Sequence, residues 1–271
     1  YKYDQSNVFH AFYGRMFTPP NLEAISFAKL NTLGTRAQPD DVTNNTVRAE
    51  RAHYFEVGSY HALNRYATLQ FTGWYKLSNF LSDAGQFGTT PLLNYFAFER
   101  GWQRGIDGAL KLQLTDNLTA RGNVAWGQCK GYGLQSGHFL LEAKEIADIN
   151  SRGGVFCDHM QTLTSSAVVT YKFLERTTMT GQMLFASGLR TAENEDAKTN
   201  SIHSPSYTIY NLSIAHVFPL PWDGQKFLLG FDIINLLDQK YYINQGEGSI
   251  GLGVAHAGMP RSFFFRGQWF F

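Results

Sequence analysis

The apolar positions of this chain recur at every second residue. In the stretch TVRAERAHYFEVGSYHALNRYATLQFTGWYKL, Leu69, Phe71 and Tyr75 alternate with Thr68, Gln70 and Thr72. Leu110, Leu112 and Leu114 alternate with Lys111 and Gln113. Leu163, Ala167, Val169, Tyr171 and Phe173 alternate with Thr164, Ser166, Thr170 and Lys172. Tyr210, Leu212 and Ile214 alternate with Asn211 and Ser213, and Phe227, Leu229, Phe231 and Ile233 follow. A period of two puts one set on each face of a β-strand. The pattern predicts about ten strands, near 7–16, 52–63, 65–78, 94–115, 118–131, 159–174, 177–189, 206–219, 225–237 and 259–271.

The connections alternate in length. Tight turns fall at Asn64-Arg65, Asp116-Asn117, Glu175-Arg176 and Pro221 to Gly224. Long polar segments fall near 17–51, 79–93, 132–158, 190–205 and 238–258. In an up-and-down meander, all short turns then lie at one end and all long loops at the other. Outer-membrane barrels have this asymmetry, with short periplasmic turns and longer extracellular loops. Several strands also exceed a dozen residues, against a globular mean of about 5–6. A tilted membrane strand needs about 9–11 residues to span. The expected class is therefore all-β, an antiparallel up-and-down outer-membrane barrel domain over residues 1–271. A large soluble sandwich, or two stacked β domains, is the alternative.

Composition narrows the partners. The 271 residues carry a formal net charge of +1 and 17% charged residues, so the basic excess of a nucleic-acid binder is missing. Aromatic residues reach 15%, which suits strands and interfacial girdles. No apolar run reaches 18 residues, so no transmembrane helix is predicted. The chain begins without Met and is expected to be a mature product or a fragment. Cys129 and Cys157 read either as two buried thiols or as a disulfide formed in an oxidising compartment. The disulfide is preferred, because both fall at the same predicted end of neighbouring strands.

The last predicted strand places Phe263, Phe265, Trp269 and Phe271 on one face, toward lipid. Phe264, Arg266 and Gln268 take the other face, toward a wet interior. The ending GQWFF resembles the signal read by the barrel-assembly machinery, with Gly267 one place off the usual glycine.

Several stretches together resemble the C-terminal half of TonB-dependent outer-membrane receptors. They are YGRMFTPPNLEAI, RAERAHYFEVGSY with Glu56 and Gly58, CDHMQTLTSSAVVTYKF, FASGLR, PSYTIYNLSIAHVF and FDIINLLDQKYY…GMPRSFFFRGQWFF. Leu237 stands where that family usually has Phe. The resemblance implies a 22-stranded barrel of which this chain supplies about ten strands. It also implies an N-terminal plug and an energy-coupling box outside these residues, so the plug domain is absent. Either the missing half closes the sheet, or the chain closes on itself as a smaller barrel. By this resemblance the protein is a receptor of the bacterial outer membrane, embedded in lipid and working with the plug and the TonB complex. Its small-molecule substrate is first a ferric siderophore, with cobalamin, haem or glycans as alternatives.

No hydrolase, phosphate-loop or zinc motif occurs, and no cofactor or metal is expected. Asp158-His159 gestures at an outer-membrane enzyme but reads better as a strand start. A passive pore or adhesion barrel is the third possibility. His53 and His61 share a strand face but lie roughly 26 Å apart, too far to share a metal. The interior-facing charges are expected to be Glu56, Asp107, Lys111, Arg121, Lys172, Asp232 and Arg266. Arg15, Arg104 and Arg121 are the candidates for contact with an anionic ligand.

Overall fold

Ten long strands run up and down in one antiparallel sheet. The computed structural model describes residues 1–20, 48–86, 93–136, 143–151, 153–157, 160–191, 198, 200–222, 224–244 and 255–271. In chain order the strands are β1 (Asn7–Thr18), β2 (Glu50–Asn64), β3 (Ala67–Asn79), β4 (Ser82–Gln86), β5 (Leu93–Gln113), β6 (Leu118–Ser136), β7 (Val155–Phe156), β8 (Leu163–Phe173), β9 (Thr177–Ala186), β10 (Arg190–Thr191), β11 (Ile202–His203), β12 (Tyr207–Pro219), β13 (Lys226–Ile234), β14 (Tyr242–Asn244), β15 (His256–Ala257) and β16 (Ser262–Phe270). One helix, α1 (Ala143–Ser151), lies between β6 and β7.

Neighbours follow chain order: β1-β2-β3-β5-β6-β8-β9-β12-β13-β16, with β4 beside β5 and β7 beside β6. The four tight turns join β2 to β3, β5 to β6, β8 to β9 and β12 to β13. All four lie at one end. The sheet path ends at β1 and β16, and these two strands do not pair with each other. Among the described residues the sheet is open, and the smaller self-closed barrel is not formed.

Several boundaries differ from the sequence expectation. The segment read as a loop from 132 carries β6 on to Ser136, then α1 and β7. The strand expected from 159 begins at Leu163, although the Thr162 carbonyl still accepts from the Gly127 amide (2.9 Å), one step along the same ladder. Short two-stranded hairpins, β10–β11 and β14–β15, lie within two of the long connections.

Packing is divided unevenly. A small buried cluster at the long-connection end joins Leu81, Phe98, Cys129, Ile149, Val155 and Cys157. Elsewhere, large apolar side chains stand open on the sheet, with Val57 63%, Ile106 59% and Phe265 78% exposed. In water so much contiguous apolar surface would be an aggregation hazard; in a bilayer it is the contact surface. Asn235 ends β13 in the left-handed region (φ 53°) and is 1% exposed. Its side chain donates to the Gln239 and Met259 carbonyls and accepts from the Gln239 amide. That clamp ties the end of β13 to the approach of β16.

Candidate functional site

Register decides which side chains share a face. Antiparallel partners point the same way, so parity carries from strand to strand. Lys111 pairs with Arg121, Arg121 with Val168, Val168 with Gln182 and Gln182 with Asn211. On the same face one row nearer the tight turns, Thr170 pairs with Thr180, Thr180 with Ser213, Ser213 with Asp232 and Asp232 with Phe264. The same bookkeeping puts Glu56, Asp107, Lys111, Arg121, Lys172, Asp232 and Arg266 on one polar face. Leu110, Leu112, Leu163, Val169, Tyr171, Leu212, Ile214, Leu229, Phe231, Phe263 and Phe265 take the opposite face.

The polar face carries hydrogen-bonded charge clusters. The Arg266 guanidinium donates to both Asp232 oxygens (2.5 and 3.0 Å) and to Ser213 Oγ (3.2 Å). Glu56 accepts from the Tyr54 hydroxyl (2.6 Å) and meets His10 Nε2 (3.1 Å). The Lys76 ammonium meets Glu50 at 2.6 Å, and Ser78 Oγ donates to the same oxygen. Trp74 Nε1 donates to Asp107 (2.9 Å). The indole reaches Asp107 because Gly105 opposite it has no side chain: a Cβ there would lie 2.6 Å from the Trp74 ring. Asn211 donates to Gln182, and Ser166 Oγ to Asn123 Oδ1. Lys111 and Arg121 are different. They stand directly opposite each other beside a depression of about 500 Å³ that Gln70, Asn123 and Ser166 also line. Neither takes part in the ion pairs among the described residues. Like charges so placed repel, and an anion set against them would relieve that.

The long-connection end of this face is partly covered. Leu81 and Phe98 pack over Gly101 and Gly131, where a Cβ would lie 2.2 Å from each side chain. Cys129 on β6 is bonded to Cys157 after β7, with Cα atoms 5.3 Å apart. Arg190 lays its guanidinium over the Phe156 ring (4.0 Å) and donates to Thr162 Oγ1 (3.3 Å). His203 bridges Thr162 Oγ1 and the Gly188 carbonyl (3.1 and 3.2 Å). Burial, then the charge of Arg190, lowers the His203 pKa.

Two of the three expected ligand contacts do not join this site. Arg15 pairs with His53 and Arg104 with Tyr75 and Gln128, on the apolar face. Their strand parity, the same as that of Tyr13, Phe17, Ile106 and Leu110, turns them away from Arg121. Asp158 and His159 lie outside the described residues. Among the described residues no three of His, Cys, Asp and Glu converge where they would hold a metal ion.

On the apolar face, Phe263 and Phe265 flank Phe231 with ring centroids 6.1 and 5.0 Å away. Trp269 stacks on Trp222 (5.7 Å) and donates to Gln225 (2.9 Å) at the tight-turn end. Phe271 lies one residue past β16, fully exposed.

No protein-family model and no curated protein matches the sequence. The fold does match solved structures. The ferric citrate transporter FecA in its unliganded form is 15% identical with a TM-score of 0.65, over 98% of this chain and 36% of that one. The pyoverdine outer membrane receptor FpvA from Pseudomonas aeruginosa PAO1, bound to pyoverdine, is 13% identical with a TM-score of 0.64, over 100% and 35%. The ferric-catecholate import receptor Fiu from E. coli K12 is 12% identical with a TM-score of 0.62, over 100% and 34%. The chain spans about a third of the length of these structures. It has the fold of part of the barrel of TonB-dependent receptors.

Proposed function

We propose that this chain is the wall of an outer-membrane TonB-dependent receptor that takes up a scarce nutrient complex, a ferric siderophore in the first instance. The carrying observation is the two-faced sheet. Over ten strands one face is apolar and exposed, and the other holds paired charges and amides, as a wall between lipid and a hydrated lumen requires. The free edges of β1 and β16 fit the same reading. Unpaired backbone groups cost several kcal/mol each in hydrocarbon, so further strands of the full barrel would pair with both. An N-terminal plug would fill the lumen, with Lys111 and Arg121 facing a carboxylate of the plug or an anionic ligand. TonB would drive transport through the plug. The barrel-assembly machinery would read β16 with Phe263, Phe265, Trp269 and Phe271.

The test is uptake of radioiron siderophores of the catecholate, citrate and hydroxamate classes in a deletion strain complemented with the full-length gene. Energy-dependent uptake of one class, lost in the deletion, is expected. Normal uptake of all three in the deletion strain, with loss of a non-ferric nutrient instead, would overturn the siderophore assignment. A protein recovered outside the outer-membrane fraction would overturn the receptor itself.

A further inference from the structure

The apolar face is not uniformly apolar. Along the regularly paired parts of the ten long strands it carries five formal charges: Arg15, Arg51, Arg100, Arg104 and Lys130. All five are cations, and the face has no Asp or Glu at all over those lengths. They are also gathered in one place. Three adjacent lateral rows of the sheet read Tyr13–Phe55–Tyr75–Arg104–Gln128, then Arg15–His53–Leu77–Trp102–Lys130, then Phe17–Arg51–Asn79–Arg100–Tyr132. On β1, β2 and β3 these are the last rows before the long connections, while β5 and β6 run on past them.

Their depth is set by the strands. A belt about 25 Å tall, crossed by a strand tilted about 40°, takes up about ten residues at roughly 3.4 Å each. Counted up β5 from Leu114 at the tight turn, it is used up at about Arg104. The cations therefore begin where the hydrocarbon ends. The other rim has aromatic side chains at that boundary, Trp222 and Trp269, and no such cluster on the apolar face of the strands among the described residues.

The cations are held and left open. The Arg104 guanidinium lies over Trp102 (4.8 Å) and Trp126 (5.8 Å), and donates to Gln128 Oε1 (2.8 Å). Lys130 Nζ lies 5.5 Å from the Tyr132 ring and 5.7 Å from Phe156. Arg15, Arg51, Arg100 and Arg104 are exposed. None of the five takes part in the ion pairs among the described residues. Two depressions lie between them. One of about 390 Å³ is lined by Arg15, Phe17, Arg51 and His53, and one of about 460 Å³ by His53, Leu77, Arg100, Trp102 and Tyr132. Each is lined by cationic and apolar side chains together.

We propose that this patch binds a phosphate-bearing lipid of the outer leaflet, its acyl chains on the apolar belt and its headgroup phosphates among Arg15, Arg51, Arg100, Arg104 and Lys130. The proposal rests on the barrel reading, which fixes the long-connection end as the outer one. One-signed charge without counter-charges is self-repelling, so a polyanionic occupant stabilises it. A soluble anion would satisfy the charge but leave Leu77, Phe17 and Trp102 uncovered. An acylated phospho-headgroup covers both.

The test uses the purified full-length protein in neutral detergent, titrated with lipid A and with phosphatase-treated lipid A, read by native mass spectrometry. The phosphorylated lipid should bind at least tenfold more tightly. Each basic residue near a charged membrane surface is worth roughly a fivefold change in affinity. The variant Arg51→Gln/Arg100→Gln/Arg104→Gln/Lys130→Gln should then lose up to about 600-fold for lipid A, while Lys172→Gln/Lys226→Gln on the polar face should lose nothing. Arg100→Gln alone serves if the fourfold variant does not fold. Equal binding of the two lipids by the wild-type protein overturns the proposal and leaves the barrel standing. So does an equal loss in the polar-face variant, or displacement of the lipid by excess inorganic phosphate. A wild-type protein that shows no heat-modifiable folded form in outer membranes overturns the barrel, and the patch with it.

Discussion

Val169 and Thr170 are consecutive on β8 and face opposite ways. Val169 pairs with Ala120 and Gly181 on the apolar face; Thr170 pairs with Thr119 and Thr180 on the polar one. Six residues separate Val169 from Leu163 at one end of β8 and four from Phe173 at the other. With a tilt of about 40°, those steps place it roughly 16 and 10 Å in depth from the two ends, close to the bilayer midplane. Arginine facing lipid at the midplane costs about 2–4 kcal/mol. At about 1.4 kcal/mol per tenfold, that is a loss of roughly 30- to 700-fold in the folded-to-unfolded ratio. The small Ala120 and Gly181 beside it offer no partner to offset the cost. Thr170→Arg places the same guanidinium among Thr119 and Thr180 on the wet face, where the change should be under about 1 kcal/mol. Refolding into vesicles across a urea series, scored by heat-modifiability on gels, measures the difference. Val169→Arg should shift the midpoint strongly and Thr170→Arg barely. Equal shifts, or a larger one for Thr170→Arg, would refute the face assignment for the whole sheet, because parity is common to every strand.

Gly105→Ala would place a methyl 2.6 Å from the Trp74 ring and break its bond to Asp107; overpacking of this kind costs about 1–3 kcal/mol, and a red-shifted tryptophan emission with a lowered urea midpoint is expected. Replacing Cys129 and Cys157 with Ser removes a closure of 28 residues, worth about 3–4 kcal/mol in chain entropy; hydrogen exchange should rise in α1 and β7 and stay unchanged in β8. His203 has its pKa pushed below its ordinary 6.5 by burial, with the Arg190 charge second. The closed β10–β11 hairpin therefore binds fewer protons than the open one. Its stability is full above pH 6.5 and falls as the pH drops from there through the depressed value. The protection factor of the Ser204 amide, bonded to the Leu189 carbonyl (2.8 Å), should fall over that range, and His203→Gln should flatten the dependence.

The strands and their faces were legible because a period of two is a local signal. Once Leu110 and Lys111 are assigned to opposite faces, antiparallel pairing carries the assignment across the sheet without further information. The ten-strand count and the sidedness of the loops followed from the same alternation. What lay between the strands was not legible in this way. The helix α1 holds its place by burying Ile149 against Val155, Phe98 and the disulfide, and those contacts come from four different segments. A nine-residue helix is too short to announce itself by propensity when tertiary packing supplies most of its stability.

The misplacement of Arg15 and Arg104 has a different cause, since the information was local. Height alone singles out both, as cations near the outer end of their strands. Parity was available: Arg15 falls in step with Phe9, Ala11, Tyr13 and Phe17, and Arg104 with Ile106, Leu110 and Leu112. Charge in an apolar register is usually a reason to doubt the register, and the pairing of β5 with β3 and β6 removes that doubt, running without a shift from Arg100 to Leu112. The exception is then chemical. A cation that interrupts an apolar face at one end only, on four of five neighbouring strands, with no acid beside it, follows the boundary of the bilayer and not the boundary of the strand. Height and face together, not either alone, separate a residue that meets a ligand in the lumen from one that meets the surface of the membrane.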